Sequence, residues 1–168
     1  MRHRDAWDSA AAEPLPAERG FESLRGHKYC LLTTFRKSGE PVPTPVWFGL
    51  DDGTVYLRTE AAVGKVKRIR NDQRVRLAPC TLRGKPLGPP AEGAARVLAP
   101  GDSEPAERAI ASNYGPIRKL YEAMSARLLS VEELYIAVEP VGSGGARTPG
   151  GAGGPGEASS PGGAPPPS

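Results

Sequence analysis

The sequence predicts a mainly β fold, a six-stranded antiparallel barrel with inserted helices. Three observations carry this expectation. Six short runs rich in Leu, Val, Thr and aromatic residues are separated by turn signals. Hairpin-type turns join several of them, which makes sequence neighbours antiparallel neighbours. The order β-β-β-α-β-β-α-β also lacks the regular strand–helix alternation of a doubly wound sheet.

Phe21-Glu22-Ser23-Leu24 reads as a short helical entry. KYCLLTTF (28–35) is a buried strand, closed by a turn at Ser38-Gly39. VPTPVWFGL (42–50) is the second strand. Its prolines, Pro43 and Pro45, fall two apart, so both missing N–H groups lie on one edge. That edge is expected to go unpaired over this stretch. DDG (51–53) is a tight-turn signal, and TVYLRT (54–59) follows with Val55 and Leu57 on one face and Tyr56 on the other. Thr59 then suits the N-cap of a short basic helix. RVRLAPCTL (74–82) and EGAARVL (92–98) are the fourth and fifth strands. GDSEPAERAIASNYG (101–115) is a helix capped by Asp102 or Ser103, with Pro105 in its first turn and Gly115 as its stop. PIRKLYEAMSARLL (116–129) carries an apolar stripe and reads as a second helix, with Tyr114 and Tyr121 as packing residues. ELYIAVEPV (133–141) alternates and closes the barrel, with Glu132-Glu133 at the helix–strand corner.

The 168 residues suggest one domain, at residues 21–141. Residues 1–20 hold Trp7 as their one large aromatic group and are expected to be a flexible N-terminal segment. Residues 142–168 are Gly, Pro or Ser at 20 of 27 positions, too poor in apolar surface to offset the entropy of ordering, so a disordered tail is expected. A net charge of +3 is far below that of a dedicated nucleic-acid binder. The start has arginines but no apolar run behind them, and no segment reaches the length of a membrane span. A cytoplasmic protein with no nucleic-acid or membrane partner is expected. Cys30 and Cys80 sit in strand-like runs and read as reduced, half-buried core thiols. With His3 and His27 poorly placed, no metal site is expected. Cys80 has no evident His or acidic partner to activate it.

Between Lys65 and Arg76 lie six basic residues, Lys65, Lys67, Arg68, Arg70, Arg74 and Arg76. On a helix of about 100° per residue they are not equivalent. Val66 and Ile69 define the buried face. Lys65 lies about 70° from its centre, while Lys67 and Arg68 point about 130° away, mostly to solvent. Lys67 and Arg68 are what any exposed helix carries. Lys65 is at the shoulder, where its stem can pack on the core. Two readings stay open: an ordinary solvated face, or a phosphate corner in which Ala61, Ala62 and Gly64 allow close approach to Lys65.

The stretch LLTTFRKSGEPVPTPVWFGLDDGTVYLRTEAAVGKVKRIRNDQRVRLAPCTLRGKPLG (31–88) resembles the pyridoxamine-5'-phosphate-oxidase-like family, the FMN-binding split β-barrel fold. The matching features are a Thr-rich first strand, a Gly hairpin, TPVW, a strand ending in Thr59, GK followed by RIRND.RV, and APC..RG. Within the family it is most similar to the branch that depends on the deazaflavin coenzyme F420. The resemblance implies a homodimer with cofactor sites between two barrels. It places Lys65 on the cofactor phosphate and Thr59 beside it. It sets Thr44, Pro45, Val46 and Trp47 along the tricyclic ring, largely through backbone atoms. Whether Trp47 is a stacking platform or a core residue stays open. In one departure, Val63 stands where some deazaflavin-binding relatives carry an arginine, and Lys67 and Arg68 are the candidates to meet the anionic tail instead. Flavin mononucleotide offers one phosphate, whereas F420 offers a phosphodiester and then several carboxylates. Lys65, Lys67, Arg68 and Arg70, with Arg83 and Lys85 across a loop, suit the longer polyanion.

The implied activity is hydride transfer between F420 and a small conjugated organic substrate. The alternatives are an FMN-dependent oxidoreductase of the same fold and a non-catalytic cofactor or tetrapyrrole carrier. A pyridoxamine-phosphate oxidase is expected to use its C-terminal segment on substrate, and the Gly/Pro-rich tail after Val141 points away from that activity. The cofactor carries the chemistry in such enzymes, so no catalytic acid or base is named.

Overall fold

The computed structural model describes residues 4–117, 119 and 132–141. Six strands, β1 (Tyr29–Phe35), β2 (Pro41–Asp51), β3 (Thr54–Glu60), β4 (Arg74–Cys80), β5 (Ala91–Val97) and β6 (Glu133–Pro140), form the expected elements. They close into an antiparallel barrel in the order β1-β2-β3-β6-β5-β4. The helices are α1 (Arg4–Ala11), α2 (Gly64–Asn71) and α3 (Glu104–Tyr114). The expected helix 116–129 lies almost wholly outside the described residues, as do the 142–168 tail and Tyr121.

Alternation places Cys30, Leu32, Val46, Phe48, Val55, Leu57, Val75, Leu77, Ile136 and Val138 inside the barrel. Helix α2 plugs one end, where Val66 and Ile69 join that core. The β2–β3 connection is a two-residue turn with positive φ at both Asp52 (46°) and Gly53 (76°), as the DDG signal anticipates.

The pairing of β2 decides where the barrel opens. Its first half pairs with β1 alone, from Phe35↔Pro41 to Tyr29↔Trp47. Phe48–Asp51 pairs with β3 instead. In this register Pro41, Pro43 and Pro45 present their donor-less nitrogens to the outer edge. The unpaired edge expected from Pro43 and Pro45 is therefore found.

Helix α3 lies close against the half that pairs with β3. A Cβ on Gly49 would come within 2.2 Å of the Ala109 backbone, so only glycine permits this approach. The end of α3 is then fastened by hydrogen bonds. Tyr114 accepts from the Phe48 N–H (2.9 Å) and donates to the Lys28 carbonyl, standing in for one rung of the β1–β2 ladder. Asn113 Nδ2 donates to the Phe48 carbonyl at 2.9 Å. Burial pushes the Tyr114 phenol well above its ordinary pKa, so it stays a donor throughout the physiological range.

The N-terminal segment differs from expectation. Residues Arg4–Ala11 form a helix whose Ala6 and Ala10, one turn apart, are buried, Ala6 packing with Leu31, Ala78 and Cys80. Arg76 fixes its C-terminal end, donating from Nη1 to the carbonyls of Ala10 (2.8 Å) and Ala12 (3.1 Å). A cluster of alanines carries no large apolar signal, which hides this contact from the sequence. Both cysteines are free and fully buried, deeper than expected. Cys30 faces the interior and Cys80 faces α1. Burial pushes the Cys80 thiol up to about 12 and Cys30 well up too, which leaves neither as a thiolate near neutral pH.

Candidate functional site

The gap left where β2 and β3 part is lined by Pro45, Val46, Trp47, Arg58, Thr59, Glu60, Val63, Lys65, Ile110 and Glu133, around a cavity of about 320 Å³. Five of the eight candidate residues, Pro45, Val46, Trp47, Thr59 and Lys65, meet there. The cavity is at the lower end of the roughly 300–1,000 Å³ typical of ligand pockets.

One wall is apolar. Trp47 points outward from β2 and is half-buried. Its indole stacks on Tyr114, with centroids 4.5 Å apart and planes 19° apart, and meets the edge of Tyr29 at 6.4 Å. It belongs to an outer aromatic cluster rather than to the barrel core, and the α3 fastening that holds Tyr114 also holds Trp47. Ile110, from the same helix, completes this wall.

The opposite wall is polar. Thr59 is buried at 8% exposure and occupies the inward face of β3. It is not the cap of α2. Strand β3 runs on to Glu60, and the Ala61 N–H extends its ladder by donating to the Glu132 carbonyl (2.9 Å). Helix α2 starts at Gly64 with Val63 in the cap position and no side-chain cap bond. Thr59 still stands near a helix start, held there by strand pairing to Leu134 rather than by capping.

Lys65, in the first turn of α2, is half-buried beside the pocket, as the shoulder position implies. Burial lowers its pKa from the ordinary lysine value. Glu60 opposes that shift and Arg68 adds to it. A buried ammonium with its pKa depressed in this way is poised to gain from an anion.

Thr44, Lys67 and Arg68 do not line the pocket. Thr44 lies further up β2, opposite Leu32. Lys67 is exposed. Arg68 departs from the solvent-facing placement expected of it. Its Nε donates to Thr34 Oγ1 at 2.7 Å, and it is half-buried at the barrel end. The route is open because Gly64, one turn earlier, has no side chain: a Cβ there would sit 2.9 Å from Arg68 Nη1. Gly64 thus makes room for a guanidinium within the chain.

Sequence reasoning missed three lining residues outright, namely Arg58, Glu60 and Ile110, and read Glu133 as a helix–strand corner. Arg58 and Glu60 flank Thr59, so the strand assignment contained them. Arg58 forms an ion pair with Glu133, its diagonal neighbour across β3 and β6. Ile110 comes from a helix far along the chain, and no local pattern marks it. Among the described residues there is no cluster of three or more His, Cys, Asp or Glu side chains fit for a metal ion. No helix among them is long and apolar enough to cross a membrane.

Comparison with known proteins bears on this architecture. The fold is shared with an FAD-binding protein from Mesorhizobium loti (TM-score 0.53, 16% identity, covering 76% of this chain and 89% of that one). It is shared with a heme storage protein from Vibrio cholerae (TM-score 0.52, 14% identity, 76% and 91% covered). A protein of unknown function from Agrobacterium tumefaciens is similar as well (TM-score 0.55, 17% identity, 77% and 57% covered). At such identities the likeness speaks to the fold alone. A search of curated proteins found no match. The family model described as pyridoxamine 5'-phosphate oxidase matches residues 18–139, most of the chain and all six strands. The chain belongs to the pyridoxamine 5'-phosphate oxidase family.

Proposed function

We propose that this chain is an oxidoreductase that holds the deazaflavin coenzyme F420 in the β2–β3 gap and uses it on a small conjugated organic substrate. The observation that carries the reading is the gap itself. Unpaired β2 backbone and an aromatic wall lie on one side, and a half-buried, depressed-pKa lysine lies on the other.

The residues present fit such a group. Trp47, Ile110, Pro45 and Val46 offer the apolar surface that a planar ring system needs. Lys65 and Thr59 offer a cation and a hydroxyl for a phosphate. When bound, the deazaflavin supplies the hydride chemistry. The chain contributes orientation and the exclusion of water: β2 sets the plane of the ring, α3 braces that plane through Trp47, and Lys65 fixes the anionic end. Lys67 and Arg70 lie exposed on α2 beyond Lys65 and extend the positive charge in the direction an acidic tail requires.

A homodimer is part of the proposal. A cavity of this size covers one side of a tricyclic cofactor, and a second barrel supplies the other. Leu82 and Leu87, 64% and 53% exposed on the loop beside Pro45, offer apolar surface for it. The competing reading is flavin mononucleotide in the same gap. It is favoured by the basic residues of the lining, which are Arg58 and Lys65 without Lys67, Arg68 or Arg70, a set that suits one phosphate.

Titration of the purified chain with F420 and with flavin mononucleotide separates the two. Tight flavin mononucleotide binding with none for F420 sinks the first reading. Binding without turnover of any acceptor points to a carrier. Lys65→Ala should lose most of the affinity and Lys67→Ala little, and equal losses would refute the role given to the helix shoulder.

A further inference from the structure

The pocket that offers Lys65 to an anion also carries a carboxylate that competes for it. Glu60 ends β3 directly opposite Glu133 at the start of β6, two like charges at one register position. The clash is relieved unequally. Glu133 is neutralised by Arg58. Glu60 shares the pocket with the Lys65 ammonium and helps to keep it protonated against the cost of burial. Both residues line the cavity, and neither is fixed by an ion pair within 4 Å of the other. The backbone of Glu60 is held in the ladder, which keeps the base of its side chain at this end of the pocket.

We propose that Glu60 is the counter-charge of the phosphate site. It sets the site's preference for a singly charged phosphodiester over a doubly charged phosphate monoester. Lys65 supplies one net positive charge. Glu60 lowers the field that an incoming phosphate meets, and a monoester, carrying between −1.5 and −2 near neutral pH, feels that reduction about twice as strongly as a diester. The idea rests on the phosphate-binding reading of Lys65 and adds to it a determinant of ligand class. A phosphodiester-linked cofactor such as the deazaflavin satisfies the site, while flavin mononucleotide binds against the Glu60 charge.

The test titrates the full chain, its Glu60→Gln variant and an Asp52→Asn control with flavin mononucleotide, riboflavin and F420. Asp52→Asn makes the same charge change in the β2–β3 turn, at the far end of the hairpin from the gap. Two unit charges about 6 Å apart in a water-like dielectric shift binding by about threefold. Glu60→Gln should therefore tighten flavin mononucleotide about tenfold and F420 about threefold, leave riboflavin unchanged, and lose these gains at 1 M salt. Asp52→Asn should alter none of them. The proposal is overturned if flavin mononucleotide does not tighten, if riboflavin tightens equally, if Asp52→Asn acts as Glu60→Gln does, or if no phosphate-bearing ligand binds either protein. If the wild-type chain takes flavin mononucleotide and never F420, the F420 reading fails alone. The comparison of flavin mononucleotide with riboflavin then still decides the role of Glu60.

Discussion

The two halves of β2 make a natural comparison. Phe48–Asp51 has handed over from β1 to β3, and α3 rests on it with no room for a side chain at Gly49. Pro41–Trp47 is paired on one side only, and its other edge faces the pocket. One continuous strand thus serves as structural wall and as site. Two local features divide it: a glycine that lets a helix approach, and prolines that withhold donors. Stability is expected to concentrate in Phe48–Asp51 and binding along Pro41–Trp47, a division that mutations can break.

The largest effect should come from the closed half. Phe48→Ala removes a side chain that is 2% exposed and should cost about 3–5 kcal/mol, read from denaturant unfolding. A cost comparable to that of an exposed site would mean that this half does not anchor the fold. Next comes Tyr114→Phe, which strands the Phe48 N–H and the Lys28 carbonyl, keeps the ring beside Trp47 and loosens its fastening. A loss of about 2 kcal/mol is expected, with a change in tryptophan fluorescence.

The open half should behave differently. Lys65→Ala should leave stability within about 0.5 kcal/mol while weakening a phosphate-bearing cofactor at least about tenfold. The pH dependence has a definite sign. Burial lowers the Lys65 pKa, so the ammonium is lost at lower pH than in an ordinary lysine. Affinity should be flat through neutrality and fall as pH rises through that lowered value. Lys65→Ala should abolish this fall, and its persistence in the variant would assign it to another group. The smallest effect is expected from Pro45→Val, which restores a donor at the pocket edge. Stability should change by less than about 1 kcal/mol, but a protected amide at position 45 in hydrogen exchange and a loss of cofactor affinity would show the β2–β3 ladder closing over the gap.

The strands were legible in the sequence because their periodicity and turn chemistry agree. Val55 and Leu57 alternate with Tyr56, and the DDG turn fixes the register between β2 and β3. The prolines even told which edge of β2 stays open. Helix α1 was not legible, because alanine faces bind by fit rather than by hydrophobic bulk. Arg68 escaped because a helical wheel places Cα atoms, whereas a long stem over Gly64 places a guanidinium elsewhere. The site was half legible. Residues on β2, β3 and α2 lie close together in sequence, but Ile110 and Glu133 reach the pocket only through the closure of the barrel.

The prolines of β2 have a consequence for the chain as a colloid. An edge strand with regular donors is a template for any other extended chain, and such edges seed aggregation. The edge that leaves the pocket accessible to a small molecule has no donor at Pro41, Pro43 or Pro45, so it cannot accept a full-length intruding strand. The same three residues keep the gap open and refuse a polypeptide.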